Sequence, residues 1–195
     1  MGLTACDLSL SFDGKTVLDS ISFALPDRGL YAVVGRSGEG KTTLLRVIAS
    51  LEAPTAGTVE GNERVAFMFQ EYRLFEHLTA IDNITLLLHQ RPRDGEAAAR
   101  ALLSCLGLTE QEQRLYPRQL SGGMKQRVSL ARAVLADAPV LLLDEPFKEL
   151  DGVLRDAVAE LLREEATRRL VLFSAHSEEE ALALGAIPLS LAHGS

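Results

Sequence analysis

Gly35-Arg36-Ser37-Gly38-Glu39-Gly40-Lys41-Thr42 fits the pattern G-x-x-x-x-G-K-[ST] at every fixed position. Its glycines let backbone N–H groups curl around phosphate oxygens, and the start of a following helix adds its positive end. Lys41 is suited to reach the β- and γ-phosphates and the Thr42 hydroxyl to bind Mg²⁺, with Thr43 counted among the binding residues. Taken alone, the loop leaves kinase, GTPase, ATPase and helicase chemistry open.

Two further stretches add chemistry. Residues 140–143 are apolar and run into Asp144-Glu145-Pro146. Beside a phosphate loop, an Asp at such a strand end holds Mg²⁺, and Glu145 is then suited to polarise an attacking water as general base. Leu120-Ser121-Gly122-Gly123-Met124-Lys125-Gln126-Arg127 offers a second anion site. Ser121 can cap a helix beginning at Gly122, and the two glycines bare its first N–H groups. The chain thus holds two phosphate-type helix starts, only one of them with a lysine.

The intervening pattern predicts the elements that position these residues. Residues 3–12 place Leu3, Ala5, Leu8, Leu10 and Phe12 as a half-buried strand does, Asp13-Gly14 marks a turn, and residues 17–25 read as a second strand. Residues 30–34 form a short apolar run ahead of the glycine loop, and residues 41–51 read as helix. Strand signals span 58–70, strongest at 65–69. From 72 to about 120 helix formers dominate, at 81–88 and 96–106, with a loop between them at Pro92 and Gly95. Beyond come a helix at 122–136, a strand at 140–143 and a helix at 152–166 with one apolar face. A strand follows at 170–174, then a short helix to about 184 behind a Ser177/Glu180 capping box, and a last strand at 187–191. Strands alternating with helices predict an α/β fold with a mostly parallel central sheet, an N-terminal antiparallel β part and a helical subdomain inserted at about 72–136, all within one domain over 1–195.

The Ser121–Gly123 stretch resembles the signature of the ABC (ATP-binding cassette) family of P-loop NTPases, and the likeness extends over essentially the whole chain. It implies ATP and Mg²⁺ as ligands and a head-to-tail pair of cassettes, most simply a homodimer. Each ATP would then lie between the phosphate loop of one copy and Ser121, Gly122 and Gly123 of the other. The same resemblance implies that Gln70 is the glutamine-loop residue touching Mg²⁺ or water, and that His176 is the switch histidine at the γ-phosphate. It makes Asp151 the D-loop aspartate and Phe12 the aromatic that stacks on adenine. Tyr31 reads as core, and His77, His89 and His193 as surface. Lys148-Glu149 departs from the Ser-Ala or Gly-Ala more usual before the D-loop. Residues 70–79 and Asp144-Glu145-Pro146-Phe147 are similar to the nitrate/sulfonate/taurine importer ATPases, although Tyr72 stands where proline is common. That likeness implies a transmembrane permease docking between about Gln70 and Ile84, and a substrate-binding protein as a further partner. Only 19 residues follow His176, against the long C-terminal regulatory domain of the sugar and metal importer branches.

Composition agrees. The chain has 195 residues, a net charge of −7, a pI near 5.2 and scattered Lys and Arg, which speaks against nucleic-acid binding and a polybasic anchor. No apolar run reaches the ~18 residues of a membrane span. The N-terminus lacks a signal-peptide pattern, and Cys6 stands where a myristoylation signal wants Ser or Thr. Cys6 and Cys105 read as buried thiols in a reducing compartment. The expected location is cytoplasmic, peripheral on the membrane through the permease. Three alternatives share these motifs: an ABC ATPase of an exporter, lipoprotein-release or cell-division complex, a soluble non-transport ABC protein, and a regulatory module without turnover. The coiled-coil insertions or second cassette of the soluble class are absent from the sequence, and Glu145 with His176 argues against the last.

Overall fold

The computed structural model describes residues 2–88 and 92–191. Two antiparallel strands, β1 (Leu3–Phe12) and β2 (Lys15–Leu25), form the expected hairpin, and β4 (Ala56–Glu60) pairs with the other edge of β1, giving the order β2-β1-β4. The apolar positions of β1 change phase between Ala5 and Leu8. The structure accommodates this with a bulge there, where Asp7 takes φ 50° and turns its carboxylate to Ser20 and Ser22. Leu3, Ala5, Leu8 and Leu10 all remain buried as a result, and Cys6 is turned outward.

A second sheet has the order β5-β6-β7-β3-β8, from β5 (Val65–Met68), β6 (Val140–Leu143), β7 (Leu170–Ala175), β3 (Gly29–Val34) and β8 (Ile187–Ser190). The pairs β6·β7, β7·β3 and β3·β8 are parallel. Strands β6 and β7 are buried along their whole length, which explains why β6 and the first four residues of β7 are apolar throughout. Helix α1 (Lys41–Ile48) places Leu44, Leu45, Val47 and Ile48 into the core beside Leu3, Leu8, Leu18, Val33, Leu142 and Leu172. It stops three residues short of the expected end. Ser50 takes φ 55°, and Ser50 and Leu51 donate to the carbonyls of Val47 and Arg46, a Schellman-type close. Tyr31 is half-buried against this core.

The chain divides into two compact units, Met1–Phe67, Ala138–Asp144 and Leu162–Ser195 in one, Met68–Asp137 and Glu145–Leu161 in the other. In the second, α2 (Ala80–Thr85), α3 (Pro92–Cys105) and α4 (Gly122–Leu135) pack on one another. The loop expected at Pro92 and Gly95 is instead the first turn of α3. Proline at the first helical position loses no intrahelical bond, and Gly95 is buried where a Cβ would stand 3.0 Å from that of Leu88. Two fully buried amides tie this unit together. Gln113 donates to the Leu108 carbonyl and the Ser104 hydroxyl, while Asn83 donates to the carbonyls of Phe75, Leu78 and Thr79 and accepts from the Phe75 N–H. Helix α5 (Gly152–Ala166) precedes β7, and α6 (Glu178–Ala183) precedes β8.

Both cysteines are free and exposed, not buried. Cys6 sits on the outward face at the β1 bulge, and Cys105 is the last residue of α3.

Candidate nucleotide and catalytic residues

In the first unit the phosphate loop leaves β3 and enters α1. Gly40 is the N-cap of α1 at φ 96°, a conformation in which a side chain is strained, and a Cβ there would stand 2.9 Å from the Val17 carbonyl. No side chain caps α1, and its first turn carries no acidic residue, an arrangement that suits an anion at its leading N–H groups. Lys41 is buried, with its ammonium donating to the Gly35 and Arg36 carbonyls at 2.6 and 2.9 Å. Glu39 folds back over Gly35 and accepts from the Arg36 N–H at 2.6 Å. Ser37 and Gly38 form the turn between them, and Thr42 and Thr43 are half-buried in the first turn of α1.

Parallel register brings the other residues of this unit to the same strand ends. Val34 stands opposite Ala175 and Leu143 opposite Phe173. Gly35, Asp144 and His176 therefore all leave carboxyl ends of neighbouring strands, the usual ligand-binding edge of a parallel sheet. Asp144 is buried, and its Oδ1 accepts from the Ser174 hydroxyl at 2.9 Å. His176 is exposed, and its backbone N–H donates to Glu180 Oε2 at 2.8 Å. The capping box is accordingly shifted: Ser177 accepts from the Glu180 N–H as expected, while the Glu180 carboxylate reaches one residue further back. Phe12 ends β1 and is 45% exposed. A pocket of about 350 Å³ is lined by Lys15, Val17, Asp19, Gly38, Glu39 and Leu191 among others, and Phe12 is not among its lining residues.

In the second unit, Gln70 donates its amide to Glu145 Oε2 at 3.0 Å across 75 residues of sequence. Burial lowers the pKa of Arg132, whose guanidinium donates to the carbonyls of Tyr72 and Arg73, so it buttresses the segment after Gln70. Ser121 caps α4 through the Met124 N–H, as expected. Gly122 and Gly123 form its first turn. A Cβ on Gly122 would lie 2.7 Å from Glu149 Oε2 and 3.1 Å from the Tyr72 hydroxyl. Two of the family departures, Tyr72 and Glu149, thus meet over the signature helix, with Tyr72 Oη 3.4 Å from Glu149 Oε2. Burial, and then the Glu149 charge, raise the tyrosine pKa. Asp151 caps α5 through the Leu154 N–H. Exposed His77 sits edge-on to Phe75; His89 and His193 lie outside the described residues.

Two contributors, Ser174 and Gln126, were given no role in the sequence, and a third, Lys148, was noted there only as a departure from the family pattern. Ser174 anchors Asp144. Gln126, buried on α4, donates to the Glu145 and Pro146 carbonyls at 3.0 and 3.3 Å. Lys148 lies 3.4 Å from Glu145 Oε2. Only Gln126 left a signal, a polar residue on the inward face of an amphipathic helix.

The donor set suits a hard cation. Among the described residues no group of three or more His, Cys, Asp or Glu side chains could hold a metal ion. Mg²⁺ is usually held by one or two protein oxygens together with substrate phosphates and water, and the Asp144 carboxylate and Thr42 hydroxyl are oxygen ligands of that kind.

Comparison with known proteins agrees with this geometry. The ABC transporter family model matches residues 18–148, more than half of the chain. Relatives include the sulfate/thiosulfate import ATP-binding protein CysA of Shigella flexneri, 40% identical over 201 residues, covering 93% of this chain and 55% of that protein. CysA 1 of Agrobacterium fabrum is 43% identical over 204 residues, covering 94% and 59%. The CysA of Burkholderia mallei is 41% identical over 214 residues, covering 100% and 61%. The chain thus spans a little over half the length of these relatives. Among solved structures, a dimeric bacterial ABC transporter cassette superposes with a TM-score of 0.82 at 25% identity, covering 97% of this chain and 94% of that one. A dimeric post-hydrolysis cassette bound to ADP and Pi gives 0.81 at 26% identity, covering 91% and 89%. With the phosphate loop, the acidic strand end and the signature helix all in the fold of those cassettes, the chain belongs to the ABC transporter family as an ATP-binding cassette.

Proposed function

We propose that the chain hydrolyses ATP and energises a membrane importer. The observation that carries turnover, as opposed to nucleotide binding alone, is the Gln70–Glu145 contact, which orients a carboxylate immediately after the Mg²⁺-type aspartate. In this reading Gly35, Arg36, Ser37, Gly38, Glu39, Gly40, Lys41, Thr42 and Thr43 receive the phosphates, and Phe12 supports the base. Thr42, Gln70 and Asp144 hold Mg²⁺, which when bound neutralises charge on the phosphates. Glu145 takes a proton from the attacking water and His176 contacts the γ-phosphate. Ser121, Gly122 and Gly123 serve the nucleotide of a second cassette, for which a copy of this chain is the simplest candidate. The dimeric cassettes among the structural relatives support that pairing.

The importer reading draws on the relatives named for sulfate/thiosulfate import. Residues 70–79 and 144–147 favour the finer reading, the nitrate/sulfonate/taurine type, and both point to a small oxyanion as cargo. A permease and a substrate-binding protein would complete the machine, with the chain peripheral on the cytoplasmic side. Among the described residues no helix is long and apolar enough to cross a membrane.

The test is ATP hydrolysis by the purified chain beside Glu145→Gln, with size-exclusion chromatography in ATP. Turnover by the native chain and an ATP-dependent dimer of the variant are expected. Full activity in Glu145→Gln would remove the general-base role.

A further inference from the structure

Lys148 occupies a position where the family usually has a small residue, and the structure gives its side chain a use. The turn after Asp144 is closed by the Lys148 N–H on the Glu145 carbonyl at 3.2 Å. Glu145 and Glu149, which bracket this segment, take φ 52° and 58°, a left-handed conformation that non-glycine residues adopt at a cost. Something must hold it, and Gln126 does. Its buried amide donates to two successive carbonyls of the turn, Glu145 and Pro146, which fixes where the Glu145 side chain begins.

On that turn the Lys148 ammonium lies 3.4 Å from Glu145 Oε2, the same oxygen that accepts from Gln70 at 3.0 Å. A hydrogen-bond donor and a cation from different parts of the unit converge on a single carboxylate oxygen. That arrangement restricts rotation of the carboxylate about its last bond, which a single donor would leave freer. The pair is partly exposed, with 51% and 24% of the two side chains accessible. Its direct electrostatic worth is therefore modest, and its leverage lies in orientation.

We propose that Lys148 is a positioning residue for Glu145, holding the carboxylate in its working orientation together with Gln70. This rests on the reading of Glu145 as the general base. A small residue at position 148 would remove one of these two contacts on Glu145 Oε2, which the lysine supplies in this chain.

The experiment is steady-state ATP hydrolysis by the full chain, comparing native protein with Lys148→Met, Lys148→Arg and Glu145→Gln. An exposed ion pair converts to at most about a fivefold rate effect, so Lys148→Met is expected to lower kcat about threefold to fivefold. The KM for ATP should stay within about twofold, because the effect is confined to the chemical step. Lys148→Arg, which keeps the charge within reach, is expected to restore kcat to within about twofold of native. Three results would overturn the proposal: unchanged kcat in Lys148→Met, a raised KM with kcat unchanged, or equal losses in the Met and Arg variants. In each of these a dead Glu145→Gln would leave the general-base reading standing. Native turnover in Glu145→Gln would remove that reading itself, and this inference with it.

Discussion

Ser174 donates its hydroxyl to Asp144 Oδ1 at 2.9 Å, both groups buried, across adjacent parallel strands of the main sheet. The register that sets Leu143 opposite Phe173 makes this pairing unavoidable one residue further along. A buried carboxylate needs such donors.

Ser174→Ala removes that donor and should cost about 1–3 kcal/mol of stability, which for a chain of this size is about 2–4 °C of Tm per kcal/mol. If Asp144 serves Mg²⁺, the Mg²⁺ concentration for half-maximal hydrolysis should also rise, by up to about tenfold, since outer-shell partners tune metal ligands. Thermal unfolding and a Mg²⁺ titration of turnover read the two effects separately. An unchanged Mg²⁺ requirement would confine Ser174 to a stabilising role.

Asn83 is the staple of the 75–79 segment, making four bonds to backbone while fully buried. Asn83→Ala should destabilise by about 2–4 kcal/mol because buried carbonyls and an N–H lose their partners. Asn83→Asp should do at least as badly, since it keeps the acceptor but loses the donors and buries a charge. Denaturant melts of the two variants decide it; an Asp variant close to native would show the donor side to be dispensable.

Phe75 is 43% exposed although aromatic, and its backbone is pinned by Asn83. If this segment meets the permease, Phe75→Ala should cut transport in the assembled complex while leaving nucleotide affinity within about twofold, as loss of an exposed anchor at an interface does. Leu78, half-buried, should behave similarly with an added stability cost. Vesicle uptake measured beside nucleotide binding separates the two, and undiminished uptake would move the docking site elsewhere.

Glu112 gives a pH dependence with a definite sign. Its Oε2 accepts from both the Thr109 N–H and hydroxyl at 2.8 Å, and these bonds, backbone first, hold its pKa below the ordinary 4.5. The folded chain therefore binds fewer protons at this site than the unfolded chain. The stabilisation is present above about pH 4.5 and is lost as the pH falls through the lower folded-state value. Native protein should be more stable than Glu112→Gln near neutral pH, and the gap should close on acidification. A gap that is constant with pH would assign the effect to geometry alone.

The phosphate loop, the acidic strand end and the signature were legible because each is a contiguous run whose chemistry follows from residue type and order. Strands β6 and β7 were legible for a related reason. Burial on both faces leaves an apolar run in each, four residues in β6 and Leu170–Phe173 in β7. The start of α3 was misread because Pro92 and Gly95 punctuate a loop and a first helical turn equally well, and only the approach of Leu88 decides between them.

Residue order alone thus determined the family, the fold class and the groups suited to bind phosphate. Contacts between residues far apart in the chain were decided by tertiary structure: Gln70 on Glu145, Ser174 on Asp144, and Tyr72 with Glu149 over Gly122. These depend on strand register and on which turn faces which helix, quantities set by packing of the whole chain. The departures from the family pattern, Tyr72, Lys148 and Glu149, were visible as isolated letters. Only the folded chain shows that Lys148 lies against the proposed base and that Tyr72 and Glu149 close over the signature helix.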